Sequence, residues 1–454
     1  MSQAISTKPP SGMRDFLAAD VVRRRHVLSV VQRVYESFGF VPLETPTIEN
    51  LSTLLGKYGP EGDQLLYRIL HRRDKLQRAL GGESVTELDL SDEGLRYDLT
   101  VPLARVVACY GELPKYFKRY QIQPVWRADR PGKGRFREFY QCDVDITGTR
   151  SRIAEAEVCS AVASVLDQLG FTEYTIRLNH RELLRAMIRA AGIDAQAEAT
   201  ALVAVDKLDK IGEEGVLAEL EQRGIDRGAG ERLLAILGGA EASNAEVLAR
   251  LGAAVDDAGK QALAELAELL ALCAHNAAGK RLQIRPDLAR GLSYYTGPIF
   301  EIAVADLAGS LGGGGRYDEL VGMFGRQPVP AVGFSLGLER ILVVMEQRGM
   351  FPKLALGPDL LLCWFGVPEP EVLRVAAQLR AQGVRVEVFA DHAKLGKQLQ
   401  YADAPGVEAR NAGILAEKEL AAGTLAVKHL GSGRQDTVAL DQVTPAWLAA
   451  LASG

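Results

Sequence analysis

A change of texture in mid-chain constrains the fold more than any other feature of the sequence. From about residue 183 to 280 the chain is rich in Ala, Leu and Glu, places Gly at helix-end positions and has few aromatics. Such a composition favours helices and offers little to a pleated sheet. Strand character precedes it in YTIRLNH and returns after it in RLQIRPDLARGLSYYTGPIFEIAVAD. The expected architecture is an antiparallel-sheet core, residues 1–182 and 281–350, interrupted by a helical insertion over 183–280. MEQRGMFPKLALGPD, 345–359, reads as a linker. Over 358–454 strand and helix then alternate: LLLCWFG, EPEVLRVAAQLRAQG, VRVEVF, HAKLGKQLQYADA and NAGIL. That is the rhythm of a small doubly wound α/β domain. The fold class is therefore α/β in the broad sense, an α+β core with an α/β appendix.

Local signals fill in the first segment. Val27, Val30, Val31, Val34, Tyr35 and Phe38 recur at helical spacing, with Gly39 as the stop. FVPLETPTIE is extended and broken by Pro42 and Pro46, and Thr100 and Pro102 mark the entry to a helix in PLARVVACYG. SRIAEAEVCSAVASVLDQLGF reads as an amphipathic helix closed by Gly170, and Asn179 followed by Glu182 predicts another helix start.

Charge and cysteine usage exclude several classes. The 454 residues hold 53 Lys and Arg against 58 Asp and Glu, a net charge of −5. This argues against a generally basic nucleic-acid-binding protein and leaves room for a local basic face. MSQAISTKPPSGMRDF has no apolar run of the kind a secretory signal needs, and LLLCWFGV at 360–367 is too short to span a bilayer. The five cysteines, Cys109, Cys142, Cys159, Cys273 and Cys363, lack CxxC spacing and read as free thiols. None of the six histidines has metal-ligand spacing, so no metal site is expected. A soluble cytoplasmic protein is the expectation.

The basic exception lies in RADRPGKGRFREFYQCD, 127–143, where Pro131, Gly132 and Gly134 force a loop or hairpin turn. Two arms meeting at such a turn can aim Arg127 and Arg135 at one anion, and the planar guanidinium fork suits phosphate. Asp129 could accept from an amino group such as that of adenine, and Phe139 offers a ring face. The plainer alternative is a solvated charged hairpin. Beyond it Gln141, Asp143 and Asp145 alternate onto one strand face. In LRYDLTVP, Asp98 and Thr100 share one face of an extended segment and could grip an ammonium group, although Asp and Thr are also ordinary turn residues. In LARGLSYYTGPIFE, Arg290 precedes Gly291, and Tyr294 and Tyr295 form a polar-tipped wall or a plain core strand. GGGGRYD, 312–318, is a flexible loop or a close backbone approach to ligand, without the ending of a P-loop. AVGFSLGLER carries Arg340 on a helix, where a structural salt bridge is the bland reading. No GxSxG elbow or Cys/His nucleophile pattern is present, which points to positioning and charge stabilisation on a polyphosphate.

Together and in this order, these segments resemble the histidyl-tRNA synthetase family of class II aminoacyl-tRNA synthetases. FGFVPLETPTIE is similar to motif 1, FKRYQIQPVWRADRPGKGRFREFYQCDVDITG to motif 2 and AVGFSLGLERILVV to motif 3. LARGLSYYTG and GGGGRYD resemble the two histidine-specific segments, and the stretch from Lys394 to Leu430 resembles the anticodon-binding domain. The resemblance implies a homodimeric enzyme that uses ATP with Mg2+ to activate L-histidine and load it onto histidine tRNA. It implies roles for ATP contacts at Arg127, Asp129, Arg135, Phe139 and Arg340, with Arg290 and Arg127 catalytic. It places histidine against Asp98, Thr100, Gln141, Asp145, Tyr294, Tyr295 and Tyr317.

Asp98 and Asp145 stand where many bacterial members have Glu, which matches the eukaryote-like branch; Ser293 replaces the commoner Asp of RGLDYY. Two rival readings use the same fold: the non-catalytic regulatory subunit of ATP phosphoribosyltransferase, and a tRNA-sensing module of a larger regulator. Contact of the helical insertion with the tRNA acceptor arm is a further expectation.

Overall fold

Hydrophobic spacing becomes structure directly at the first long helix. A computed structural model describes residues 6–82, 84–238, 243–289, 294–307, 309–325, 327–404 and 406–453. In it the helix Ala18–Ser37 buries Val27, Val30, Val31, Val34 and Tyr35 along one stripe. Strands β1 (Val41–Pro42), β2 (Ile48–Asn50), β3 (Arg68–Ile69) and β4 (Glu93–Leu95) follow, and a helix Thr100–Cys109. The long hairpin β5 (Phe117–Trp126) and β6 (Glu138–Thr147) comes next, then the helix Arg152–Gln168 and β7 (Thr175–His180). After a helical stretch come β8 (Leu282–Ile284), β9 (Pro298–Ala303), β10 (Gly312–Arg316) and β11 (Ala331–Gly337), the last leading into the helix Leu338–Gln347.

Eight of these strands form one sheet in the order β1-β5-β6-β11-β10-β9-β7-β8. It is antiparallel except at its two edges, where β1 runs parallel to β5 and β8 parallel to β7. The order interleaves both ends of the segment: β6, before the helical stretch, pairs with β11, after it. β2, β4 and β3 make a separate small sheet.

Among the described residues, the stretch between β7 and β8 holds the α-helices Arg181–Ala190, Glu198–Val205, Leu208–Gln222, Arg227–Leu237, Asn244–Ala254 and Asp257–Cys273. The first is not capped by Asn179. His180 is its N-cap, its ring accepting from the Glu182 N–H, whereas the Asn179 amide donates to Pro286 O and Leu288 O, both at 3.0 Å. The glycine run is a strand rather than a loop, because β9 and β11 crowd it from either side; a Cβ at Gly314 would lie 2.0 Å from Gly333 O.

Contacts divide the chain into two compact units. One gathers the residues up to Asp15 with Arg24–Met350, and the other Phe16–Arg23 with the residues from Phe351 onward. The second unit is built on a five-stranded sheet of β12 (Leu360–Trp364), β13 (Val386–Val388), β14 (Asn411–Leu415), β15 (Thr424–His429) and β16 (Gln435–Ala439) in the order β13-β12-β14-β15-β16. The first three are parallel, as βαβ alternation requires, and β15 and β16 add an antiparallel edge. β12 is buried along its whole length. Cys142, Cys159, Cys273 and Cys363 are buried free thiols, and Cys109 is an exposed one. No helix among the described residues is long and apolar enough to cross a membrane.

Candidate active site

The large sheet carries on its face a cavity of about 1010 Å³. Every described residue singled out by motif lines it: Asp98, Thr100, Arg127, Asp129, Arg135, Phe139, Gln141, Asp145, Tyr294, Tyr295, Tyr317 and Arg340. Arg290 lies outside the described residues.

The cavity has a basic end. The turn between β5 and β6 closes with reciprocal backbone hydrogen bonds between Gly132 and Arg135, both 3.0 Å. Arg127 and Arg137 face each other across its base, joined by Arg127 N to Arg137 O at 2.9 Å. The Arg127 guanidinium is held in place: Nε donates to Tyr97 O at 3.1 Å, and the group lies 4.2 Å from the Tyr97 ring centroid and 5.2 Å from that of Phe139. Arg135 is half-exposed and 3.9 Å from Asp129. Arg340, on the helix after β11, donates to Gly134 O at 3.2 Å and to Ser310 O at 2.5 Å, so it braces the turn. Its neighbour Glu339 binds Arg24 at 2.7 Å and accepts from Tyr140 N at 2.9 Å, which fixes the helix against β6.

The deep end is acidic. Alternation on β6 points Gln141, Asp143 and Asp145 the same way. Gln141 donates to Ser335 Oγ at 2.7 Å and to Asp143 at 3.2 Å. Asp145 accepts from the Tyr317 hydroxyl and lies 2.8 Å from Arg119, whose side chain is fully buried opposite it on β5. Asp98 ends the extended approach to the helix Thr100–Cys109 and accepts from Val101 N at 3.0 Å, Tyr58 OH at 3.2 Å and Tyr294 OH at 3.2 Å. Thr100 opens that helix instead of continuing an extended segment with Asp98. Burial raises the carboxyls of Asp98, Asp143 and Asp145, Asp143 to about 7, with Arg119 opposing the effect at the last two. Tyr294, Tyr295 and Tyr317 cluster, with ring centroids 4.9 Å and 6.0 Å from Tyr294. Two glycines make room: a Cβ at Gly333 would lie 1.8 Å from Asp145 Oδ1, and one at Gly315 2.7 Å from the Tyr295 ring.

A family model described as Histidyl-tRNA synthetase matches residues 12–341, and one described as Anticodon binding domain matches 366–448. The Histidine--tRNA ligase of Cytophaga hutchinsonii is 41% identical over 96% of this chain and 98% of that protein. The chain belongs to the histidyl-tRNA synthetase family. Another relative of the same name, from Gloeobacter violaceus, is 40% identical over 94% of this chain and 96% of its own length. Among solved structures, histidyl-tRNA synthetase from Nostoc sp. PCC 7120 aligns with a TM-score of 0.78 and 30% identity, covering 99% of this chain and all of that one. The ATP phosphoribosyltransferase regulatory subunit/histidyl-tRNA synthetase from Bacillus halodurans C, 21% identical with a TM-score of 0.72, shares the fold.

Several residues of this histidyl-tRNA synthetase family site escape motif reading. Arg119 is the most consequential, together with Tyr58, Ser335 and the pair Arg177–Glu301, 3.5 Å apart at the cavity wall. A signal for Arg119 does exist: polar residues alternate on β5 (Arg119, Gln121, Gln123) as they do on β6, which marks two adjacent strands sharing one polar buried face.

Proposed function

We propose that this chain is a histidine–tRNA ligase that couples ATP to the activation of L-histidine and transfers it to the 3′-terminal ribose of histidine tRNA. The observation that carries this is the polarity of one cavity, cationic around Arg127, Arg135 and Arg340 and carboxylate-lined around Asp98, Asp143 and Asp145. Such a cavity matches a polyphosphate at one end and an amino acid with an ammonium head and an imidazole at the other.

In this reading Arg127 meets the α-phosphate and Arg135 the outer phosphates, where fixed cations offset charge developing in the transition state. Phe139 stacks on adenine, Asp129 accepts from its amino group, and Arg340 closes the adenine and γ-phosphate side. Asp98, Thr100 and Gln141 hold the α-ammonium of histidine, with Tyr294 as the adjoining wall. Asp145, Tyr295 and Tyr317 receive the imidazole, whose two nitrogens can donate and accept at once. Arg290 bridges the histidine carboxylate and the α-phosphate. A carboxylate oxygen attacks the α-phosphorus, and the bond to the bridging oxygen breaks, so that pyrophosphate leaves with the electron pair. The ribose hydroxyl then attacks the histidyl carbonyl carbon and AMP departs. Juxtaposing the two substrates supplies much of the rate advantage.

Magnesium would arrive on ATP, since this ion is commonly held by substrate phosphates with one or two carboxylates. Bound there, it would neutralise the departing pyrophosphate, with Asp129 the carboxylate beside Arg135. The second unit would read the anticodon, where the exposed Lys394 and Lys397 suit RNA phosphates. A cytoplasmic homodimer completes the reading, supported by the motif 1 resemblance of FGFVPLETPTIE. Asp98 and Asp145 in place of Glu support membership of the eukaryote-like branch.

ATP–pyrophosphate exchange with each of the twenty amino acids tests this. Exchange with histidine alone, abolished in Arg290→Ala, is expected. A folded protein that binds histidine without exchange would overturn it in favour of a sensing role.

A further inference from the structure

The histidine end of the cavity is tied to the inserted helices by a run of buried and partly buried ion pairs that none of the roles above uses. Tyr317, which donates to Asp145, directly follows Arg316 on β10. The buried Arg316 donates from Nε to Glu155 Oε1 at 2.6 Å, and from Nη1 to Thr149 O and Asp318 Oδ1, both at 3.0 Å. Glu155 lies on the helix Arg152–Gln168 and is wholly buried; the same Oε1 accepts from Arg152 Nη1 at 3.1 Å. Arg152 also binds Glu265, on the helix Asp257–Cys273 at the end of the inserted stretch. Glu265 Oε2 pairs with His180 Nε2 at 3.2 Å. The other ring nitrogen, Nδ1, accepts from Glu182 N at 3.1 Å and so caps the helix that opens the stretch. Because Nδ1 accepts, the proton sits on Nε2 and points at Glu265.

A second contact runs alongside. Arg181, the first residue of the opening helix, donates its backbone N–H to Gly297 O at 2.9 Å. Gly297 packs on the Arg316 stem so closely that a Cβ there would lie 3.1 Å from Arg316 Cδ. Both ends of the insertion therefore converge on Arg316. Stability alone does not call for ions here, since well-packed apolar residues commonly do as well. What a buried network with shared acceptors adds is interdependence: Glu155 Oε1 serves two guanidiniums, and moving either disturbs the other.

We infer that Glu265 and His180 are positioning residues for the histidine pocket: through Arg152, Glu155 and Arg316 they set the place of Tyr317 against Asp145, so the seating of the inserted helices controls histidine affinity. The identity of the ligand rests on the functional reading above; the coupling itself does not. The test uses full-length Glu265→Gln, and His180→Asn, which keeps a good helix cap but shortens the reach to Glu265. With thermal unfolding retained, L-histidine binding by calorimetry should weaken about five- to twenty-fold, the lower range for coupled sites. KM for ATP should stay within about two-fold, a change too small to count as coupling. Hydrogen exchange at residues 316–318 should quicken in both variants. Unchanged histidine affinity in the folded variants overturns the inference whatever the exchange at 316–318, as does a loss of ATP affinity in step with histidine. If the wild type activates no amino acid, the functional reading fails separately; quicker exchange at 316–318 would still uphold the coupling, and unchanged exchange would still sink it. Should Glu265→Gln not fold, His180→Asn decides alone.

Discussion

Replacing Gly333 by Ala puts a single methyl group where the structure has no room for one. The new Cβ would lie 1.8 Å from Asp145 Oδ1 and 2.5 Å from its Cγ. Ordinary contact begins at about 3.4 Å, so the carboxylate must retreat by roughly 1.6 Å. It cannot do so freely, because Tyr317 donates to one of its oxygens and Arg119 sits 2.8 Å from the other. Breaking a buried pair of this kind costs about 3–5 kcal/mol. β11 can yield a little instead of Asp145, so the expected loss of stability is about 2–4 kcal/mol. The functional effect should exceed what stability explains: displacement of a reacting or binding group by about 1 Å can cost about 100-fold. Histidine-driven pyrophosphate exchange at saturating ATP, read as kcat/KM for histidine, should fall by about that factor while KM for ATP holds. Wild-type kcat/KM for histidine in a folded Gly333→Ala protein would refute the placement of the imidazole at Asp145. An equal rise in KM for ATP would refute the separation of the two ends.

Arg127→Lys keeps the charge and loses the fork, and should cut pyrophosphate exchange by about 100-fold while calorimetric binding of histidine alone is retained. Glu339→Ala removes the carboxylate partner of the largely buried Arg24 and the acceptor of Tyr140 N, which predicts a loss of about 2–4 kcal/mol in urea unfolding, whereas Glu339→Gln should cost markedly less. Asp143 gives a pH signature. Burial raises its carboxyl to about 7, well above its value in an unfolded chain, so between about pH 4 and 7 the native state holds the extra proton. Its contribution to stability therefore falls as pH rises through that window, by on the order of 1–4 kcal/mol, and stays at the lower value above it. Asp143→Asn should remove this component, so that the difference in unfolding free energy between variant and wild type grows from pH 4 to 7 and is then flat.

What the sequence made legible is what depends on neighbours along the chain. The stripe from Val27 to Tyr35 and the βαβ alternation after residue 358 are local periodicities, and hydrophobic burial acts on them directly. The Pro131–Gly134 turn is equally local, which is why a basic loop could be read from it. GGGGR was not legible as a strand because glycine has low strand propensity, and only crowding by β9 and β11 holds it there. Asn179 lost its expected cap to His180 because β8's following loop claims its amide through Pro286 and Leu288. Arg119 belongs to the same class: a charged residue in a strand signals exposure until the β5–β6 register sets it opposite Asp145. The roles of Arg119, Asp145 and Gly333 arise from three strands at once, so no single segment carries them.

That register also settles the sign of the deep end. Asp98, Asp143 and Asp145 are each almost entirely buried, and the fully buried cation among them is Arg119, 2.8 Å from Asp145 and 3.9 Å from Asp143. Arg119 serves Asp143 and Asp145, and the partly buried Arg127 is the cation acting on Asp98, so two guanidiniums face three carboxylates, and buried bare charge is costly. The fold meets part of the cost by raising the carboxyls and part with hydrogen bonds from Tyr58, Tyr294 and Tyr317. The remainder is a standing preference for a cationic head group, which an α-ammonium satisfies and a phosphate does not. At the other end Arg127, Arg135 and Arg340 impose the opposite preference. On the proposed reading the two substrates take opposite ends, and an amino acid whose ammonium sits at Asp98 would direct its carboxylate toward the arginines. On that reading long-range charge would orient the substrates before any specific contact forms, and the segregation of signs within the cavity, more than any single residue, would be the device that brings the attacking oxygen to phosphorus.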